Sequence, residues 1–240
     1  MIWPNLADMA DTMMLSRKTI EENTTHYHRT AAGTRPDLRV VDLGDKKLVV
    51  KDFKRSDFLF RLMVAPILVR REFGALRNLI GVKGVPQLVG KLDRYAFAME
   101  HVPGTSLDHT EPGTLDNDFY ANLRRAVDDM HARGVAHCDL RSRGNVMVGD
   151  DGQPYLLDFA ACVFRGRGIN PFFRWLFRQF VLADENAVLL IKQRLSPELL
   201  SEEEKAQLAE PLPFERPAKF IGENVRKLTR KLLTRRGNRR

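Results

Sequence analysis

Three oxygen-bearing side chains lie near one another in the middle of the sequence, at a spacing suited to chemistry on phosphate groups. Asp139 and Asn145 belong to one run, and Asp158 follows Asn145 by thirteen residues. Asn145 and Asp158 could hold Mg²⁺ on a nucleotide's phosphates, because Mg²⁺ prefers hard oxygen ligands and takes few of them from protein. Asp139 could then orient a hydroxyl group and accept its proton as that hydroxyl attacks phosphorus. The spacing predicts a metal-assisted phosphoryl-transfer site.

A short β-hairpin is predicted to hold these side chains. The runs Val146-Met147-Val148 and Tyr155-Leu156-Leu157 have the composition of strands, and the segment 149–152 between them has the glycines and aspartates of a turn. Such a hairpin brings Asn145 and Asp158 to the same end.

A lysine near the end of a predicted strand lies upstream of this group. The segments 39–43 and 47–53 are rich in apolar residues and flank a Gly44-Asp45 turn, which predicts a second hairpin. Lys51 lies in the second strand of that hairpin.

A helix predicted over 65–78 supplies a carboxylate for this lysine. A proline suits its first turn, and Glu72 lies at the edge of the apolar stripe that follows. A carboxylate beside a core face needs a cation, since an unpaired buried charge is costly. We therefore predict a Lys51–Glu72 ion pair. The alternative is an exposed Glu72 that pairs with Arg70 or Arg71.

Further elements connect the two halves of the predicted site. The segments 87–92 and 95–99 predict another hairpin, and the segment 100–104 is expected to be a hinge after it. A helix is predicted over 119–134, because its apolar residues recur on one side and Gly134 is a usual C-terminal stop. This helix leads the chain to His137.

These groups resemble the catalytic and metal-binding residues of the protein-kinase-like superfamily over roughly residues 30–190. The motifs that carry the resemblance are Lys51, Glu72, His137-Cys138-Asp139 with Asn145, and Asp158-Phe159-Ala160. The resemblance implies an α+β, bilobal protein-kinase-like fold, with a small antiparallel β N-lobe and a mainly helical C-lobe. It also implies transfer of the γ-phosphate of ATP to a hydroxyl group, with Mg²⁺ as cofactor.

The resemblance implies two sets of nucleotide-binding groups in the N-lobe and the hinge. Lys51 would hold the nucleotide phosphates, and Glu72 would position that lysine. The hinge backbone around Glu100 and Val102 would bind the adenine edge.

The resemblance also implies the roles of the groups in the C-lobe. Asp139 would be the catalytic base, and Asn145 and Asp158 would hold Mg²⁺. Arg141, two residues past the base, could add positive charge near the transferred phosphoryl group. The alternative for Arg141 is a surface salt bridge.

The catalytic run is one residue longer than the family pattern. Asn145 lies six residues after Asp139, where the family usually has five. Gly144 is predicted to absorb the extra residue, because glycine tolerates positive φ. His137 is expected to have a structural role, with its ring supporting the backbone of this loop.

Other departures are typical of the compact, atypical branch of the superfamily. No Gly-rich loop precedes Lys51, Cys138 stands where an arginine commonly precedes the base, and no Ala-Pro-Glu follows. The sequence looks more like RIO-type kinases, the lipopolysaccharide-core sugar kinases and the small kinase of the tRNA-threonylcarbamoylation complex. The same departures support an alternative of another class, a pseudokinase scaffold that binds nucleotide without transfer.

Composition is that of an ordinary folded protein with an excess of positive charge. The 240 residues are 43% hydrophobic and 29% charged, with a formal net charge of +8. The expected parts are a helical N-terminal lead-in (1–30), the N-lobe (31–100), the C-lobe (101–222) and a basic amphipathic tail (223–240). Two cysteines, no visible secretory signal and no apolar run long enough to span a bilayer predict a cytoplasmic protein.

Two basic segments bear on the partners. Residues 225–240 carry eight positive charges and no acid, which suits an anionic membrane surface at the inner membrane face. RNA is the weaker alternative, and a solvated end of the chain is the simplest one. The segment 165–180 interleaves arginines with aromatic residues, which predicts either a core helix of the C-lobe or an interfacial helix. These features slightly favour a lipid-linked sugar as acceptor over a protein serine or threonine.

Overall fold

The computed structural model describes residues 16–166 and 171–210. Ten strands follow one another along these residues: β1 (Thr24–Arg29), β2 (Asp37–Asp42), β3 (Lys47–Asp52), β4 (Leu88–Asp93), β5 (Ala96–Glu100), β6 (Gly104–Ser106), β7 (Val135–Ala136), β8 (Val146–Gly149), β9 (Pro154–Leu156) and β10 (Val163–Phe164). Six α-helices are interspersed: α1 (Arg17–Glu22), α2 (Phe58–Met63), α3 (Ala65–Asn78), α4 (Asn117–Ala132), α5 (Pro171–Leu195) and α6 (Glu202–Ala209).

An antiparallel sheet of five strands, in the order β1-β2-β3-β5-β4, forms the first half of the described chain. The hairpins predicted over 39–53 and 87–99 form its centre and one edge. Val41, Leu48 and Val50 of the central strands are buried against Ile20 of α1 on one face of the sheet. On the other face, the sheet packs with α3, which begins at Ala65 as predicted and has its proline in the first turn.

The prediction of a helical lead-in over 1–30 is wrong for its final part. Residues Thr24–Arg29 are a strand that pairs with β2, so the sheet begins before residue 31. The polar composition of this edge strand, with mostly exposed side chains, hides its strand character in the sequence. Arg17 ties the short α1 to the sheet through Asp52 and Asp93, both at 2.7 Å. Residues 1–15 lie outside the described part.

Helices dominate the second half of the described chain. The apolar side of α4, with Leu123, Val127 and Met130, is fully buried, as its sequence pattern predicts. The helix stops before Gly134, whose φ of +75° is a conformation that glycine adopts without strain. The predicted hairpin of β8 and β9 packs beside α4, and β6 pairs with β8.

The aromatic segment at the start of α5 divides between core and surface. Phe177 is buried, as the core interpretation requires. Phe172 and Phe173 are each 59% exposed, so the core interpretation is wrong for the first turn of the helix. None of the helices among the described residues is long and apolar enough to cross a membrane. The predicted tail (223–240) and the end of the predicted C-lobe lie outside those residues.

Candidate active site

A buried lysine joins two carboxylates from distant parts of the chain. Lys51 Nζ on β3 donates to Glu72 Oε2 on α3 at 2.7 Å and to Asp158 Oδ1 at 2.9 Å. Lys51 and Glu72 are almost fully buried, whereas the side chain of Asp158 is 47% exposed. The predicted Lys51–Glu72 ion pair is therefore present, and the alternative of an exposed Glu72 is wrong.

The electrostatics of this triad follow from burial and from its excess of negative charge. Burial raises the pKa of Glu72 to about 7, although the ammonium group of Lys51 opposes this change. Burial would lower the pKa of Lys51, but the two carboxylates outweigh it and raise that pKa. Burial also disfavours the ionised form of Asp158, and Lys51 reverses this effect and lowers the pKa of that carboxyl. One cation facing two carboxylates leaves a net negative charge that a further cation could balance.

Asp139 and Asn145 meet in the loop before β8. Asn145 Nδ2 donates to the backbone oxygen of Asp139 at 2.9 Å and to its Oδ2 at 3.1 Å. Asn145 is buried, while Asp139 is exposed to solvent. The two residues are thus held together despite the extra residue between them.

The extra residue is accommodated differently from the prediction. Gly144 does not adopt positive φ; instead Arg143–Asn145 form a 3-10 turn, with Asn145 N–H donating to the Ser142 carbonyl oxygen at 2.9 Å. A Cβ on Gly144 would come within 2.9 Å of Asp108 Oδ2, so the glycine serves close packing. The left-handed backbone falls on Cys138, with a φ of +68°.

An aspartate on α5 holds this strained part of the loop. Asp184 is 1% exposed, and it accepts the backbone N–H of His137 at 2.6 Å and that of Cys138 at 2.8 Å. His131 Nε2 lies 3.1 Å from the same carboxylate. Sequence reasoning missed Asp184, whose only signal was an aspartate within the apolar pattern of a long helix. Because Asp184 fixes the backbone just before Asp139, it positions the predicted base.

His137 has the structural position that the sequence predicts. Its Nε2 lies 2.8 Å from the carbonyl oxygen of Leu157, and its ring packs against Phe159 at 4.9 Å between centroids. The imidazole therefore links the Asp139 loop to the segment that carries Asp158.

A cleft of about 470 Å³ lies between the sheet and the β8–β9 hairpin. Apolar side chains from both sides line it, including Leu38 and Val49 above and Met147 below. The cleft also reaches Lys51 and Asp158, so an apolar compartment and a charged end share one cavity. This pairing suits a ligand with a flat apolar part and an anionic part.

The predicted hinge forms one wall of this cleft. Val102 lines the cavity, and among the described residues its backbone N–H has no hydrogen-bond partner, so it is available to a ligand. Glu100 also lines the cavity, but its carboxylate accepts the Gln87 N–H at 3.0 Å. Gly104 ends the hinge, and a Cβ there would lie 2.2 Å from the Val148 carbonyl oxygen.

Two N–H groups of the turn between β1 and β2 are already bonded within the protein. The Ala31 N–H donates to Asp37 Oδ1 at 2.6 Å, and the Arg35 N–H donates to the Ala32 carbonyl oxygen at 3.0 Å. Arg29, at the end of β1, does line the cleft. It pairs in register with Leu38, which pairs with Lys51, so the three residues lie in one row across the sheet. Directly paired residues of antiparallel strands share a face, which directs Arg29 toward the same side as Lys51.

Arg141 does not line the cleft, and neither does Asp139, which is held beside it by Asn145. Arg141 is exposed, and its Nη2 lies 3.5 Å from Asn186 Oδ1 on α5. The position favours the alternative of a surface contact over a contact with transferred phosphate.

The donor sets fit the cofactors that the sequence implies. Asp158 and Asn145 present carboxylate and amide oxygens at the charged end of the cleft, and such hard oxygens suit Mg²⁺. The unpartnered Val102 N–H and the apolar walls suit the adenine of ATP, and Lys51 suits its phosphates.

Two solved structures of similar fold are of a Rio2 kinase. The crystal structure of the Rio2 kinase from Chaetomium thermophilum gives a TM-score of 0.55 at 15% identity, over 86% of this chain and 74% of that one. Its ADP/Mg²⁺-phosphoaspartate complex gives 0.54 at 14% identity, over 87% and 69%. The chain therefore has the protein-kinase-like fold, and the predicted fold class is confirmed.

Relatives in sequence match shorter stretches. CBL-interacting serine/threonine-protein kinase 15 of Arabidopsis thaliana is 32% identical over 98 residues, which are 38% of this chain and 23% of that protein. A "Probable SapB synthase" of Streptomyces coelicolor is 31% identical over 114 residues, which are 39% of this chain and 12% of that protein. The chain thus spans less than a quarter of the length of either relative. No protein-family profile matches the chain.

Proposed function

We propose that the chain is an ATP- and Mg²⁺-dependent phosphotransferase that transfers the γ-phosphate to an alcohol group. The observation that carries the proposal is the convergence of Lys51, Asp158 and Asn145 on one cleft, with Asp139 hydrogen-bonded to Asn145. Burial of Lys51 and Glu72 costs free energy that an apolar core would avoid. Such a cost is typical of a functional site.

Each residue would act in a defined way on the bound nucleotide. The N–H of Val102 would donate to the adenine edge, and Lys51 would donate to the phosphates while Glu72 fixes its position. Asp158 and Asn145 would hold Mg²⁺, which when bound would neutralise charge on the phosphates. Asp139, held by Asn145, would accept the proton of the acceptor hydroxyl at its carboxylate oxygen.

Arg29 would supply the positive charge that a Gly-rich loop does not provide here. The N–H groups of Ala31 and Arg35 already have partners, so these two are not available to phosphate. The only hydrogen bond of the Arg29 guanidinium among the described residues runs from Nε to the Pro36 carbonyl oxygen at 3.3 Å. Its two terminal nitrogens would then bind the phosphates. The Cα atoms of Arg29 and Lys51 are two strand spacings apart, roughly 10 Å.

Three acceptor classes are candidates. A lipid-linked sugar is supported by the exposed aromatic residues and arginines of α5. A protein serine or threonine is supported by the relative that is named a serine/threonine-protein kinase. The named Rio2 complex contains a phosphoaspartate, so a carboxylate of the protein itself is a third acceptor to test.

The proposal is tested by incubating wild type and Asp139→Asn with γ-labelled ATP and Mg²⁺. Each protein is assayed separately with the lipid fraction and with the protein fraction of source cells. Label in one fraction with wild type alone would support the proposal and identify the acceptor class. Label that stays on the protein and is released by hydroxylamine would instead indicate an acyl phosphate. Asn145→Asp serves as a second variant, since it keeps an oxygen for the metal but loses the donor to Asp139.

A nucleotide-binding scaffold is the second candidate. It is favoured by the absence of a Gly-rich loop before Lys51 and by the contact between Asp158 and Lys51, which occupies both residues. ATP binding with no transfer to any fraction would support this candidate and contradict the first.

A further inference from the structure

Five large apolar side chains are exposed side by side at the start of the helical segment that leads into α3. Phe58, Leu59, Leu62 and Met63 belong to α2, and Ile67 to the first turn of α3; each is 51–68% exposed. We call this group the α2 apolar face. Scattered exposed apolar residues are ordinary, but a contiguous group of this size marks an interaction site.

The face is continuous because α2 and α3 are nearly one helix. Val64, between them, has helical dihedral angles, and its N–H donates to the Phe60 carbonyl oxygen at 2.8 Å. The Leu68 N–H donates in turn to the Val64 carbonyl oxygen at 3.1 Å. Phe60 points inward, with its ring 6.0 Å from that of Phe53, so the apolar face looks away from the core.

Basic residues flank the α2 apolar face along the chain. The basic residues beside it are Lys54, Arg55, Arg61 and Arg70, and Asp57 is the single acid between residues 54 and 71. The Arg61 guanidinium lies 5.6 Å from the centre of the Phe58 ring, so charge and apolar surface are in direct contact. A bilayer with anionic lipids presents negative headgroups above a hydrocarbon layer. Apolar side chains flanked by lysine and arginine are complementary to both parts of such a surface.

We propose that the α2 apolar face docks on the surface of an anionic lipid bilayer. The large side chains enter the headgroup region, and the flanking cations contact lipid phosphates. The inference is independent of the proposed phosphoryl transfer, because it uses no residue of the cleft. It also gives the helix that carries Glu72 a membrane-facing end.

The test uses the full chain and co-sedimentation with vesicles of phosphatidylglycerol and phosphatidylcholine, compared with phosphatidylcholine alone. Leu59→Glu and Met63→Glu are each expected to weaken binding to the anionic vesicles about tenfold or more, since a carboxylate enters the contact. Tyr27→Glu is the matched control, because it adds the same charge at an exposed side chain of β1 and should bind as wild type. High salt should weaken the binding of wild type.

A second variant distinguishes loss of lipid binding from loss of folding, because it reports binding as a new fluorescence signal. Leu59→Trp should show a blue-shifted emission on addition of anionic vesicles, whereas Tyr27→Trp should not. The proposal would be overturned if the emission of Leu59→Trp did not shift, or if Leu59→Glu sedimented like wild type. Any vesicle binding would then be due to other basic segments.

Two other occupants of the face give distinct results. If a second copy of the chain covers it, wild type would be a dimer in solution and Met63→Glu a monomer. If residues 1–15 cover it, wild type would not sediment and a chain without those residues would. Either result overturns docking on lipid.

Discussion

Asp184 on α5 accepts the backbone N–H of Cys138 at 2.8 Å, directly before the predicted base. Cys138 has a φ of +68°, a conformation that costs a non-glycine residue about 1–2 kcal/mol. The neighbouring His137 N–H donates to the same buried carboxylate at 2.6 Å. The hydrogen bonds of Asp184 thus offset the backbone strain in the residue just before Asp139.

Replacement of Asp184 by asparagine should reduce both stability and phosphoryl transfer. An amide keeps one acceptor oxygen but turns an NH₂ group toward backbone N–H donors, which should cost about 2 kcal/mol in the free energy of unfolding. Transfer should fall about a hundredfold because Asp139 loses its position, while ATP affinity should change little. Urea unfolding, calorimetric ATP titration and labelled-phosphate assays measure the three quantities.

Glu185→Gln is the control for this variant. Glu185 is adjacent and partly exposed, and the ion pair that it forms within the described residues is with Arg124 at 3.6 Å, so its loss should change stability by less than about 0.5 kcal/mol. An Asp184→Asn protein with the transfer rate of wild type would show that the loop keeps its geometry without this carboxylate.

Lys51 and Glu72 should behave as one unit in a double-mutant cycle. Lys51→Met leaves a buried carboxylate without its cation and should destabilise the protein by about 3 kcal/mol near pH 8. Adding Glu72→Leu should recover most of that loss, because no buried charge remains. Neither protein should bind ATP with the affinity of wild type. Urea unfolding of all four proteins gives the coupling energy, and additive effects would contradict a direct ion pair.

Stability and nucleotide binding should respond to pH in opposite directions. Burial raises the pKa of Glu72 from 4.5 to about 7, so the folded protein holds a proton that the unfolded chain has already released. The free energy of unfolding should therefore fall as the pH rises between about 4.5 and about 7. ATP binding should improve over the same window, since the ionised Glu72 holds Lys51.

Glu72→Gln should remove this pH dependence. The lowered pKa of Asp158 adds stability that is lost only as the pH falls through that lower value, so it does not affect the window of Glu72. Urea unfolding of wild type and Glu72→Gln across this range measures the difference, and parallel curves would mean that Glu72 does not titrate there.

The sequence predicted the parts of the site that local patterns encode. Lys51, Glu72, Asn145 and Asp158 could be found because each lies within or close beside an element with a clear apolar pattern. Asp184 could not, since it acts on a backbone 46 residues earlier in the chain, and no local pattern records that contact. The prediction of positive φ at Gly144 was wrong for a related reason. One extra glycine is equally compatible with a 3-10 turn, which is the conformation that the loop adopts.

The strand β1 was missed because its residues do not alternate in polarity. Four of its six side chains are exposed, so the strand has no buried face to leave an apolar pattern. Without that strand, the row that joins Arg29, Leu38 and Lys51 could not be predicted.

Arg29→Gln should therefore weaken the binding of phosphates and spare the binding of adenosine. Loss of one guanidinium beside a nucleoside triphosphate should lower ATP affinity about tenfold, and ADP affinity less. Adenosine has no phosphate and should bind both proteins equally. Arg35→Gln is the matched control, because Arg35 lies in the turn that follows β1, is exposed and does not line the cleft. Affinities are measured by calorimetry. If Arg29→Gln binds ATP as tightly as wild type, Arg29 is not part of the site. If the affinities for ATP and adenosine fall equally, the substitution has damaged the sheet.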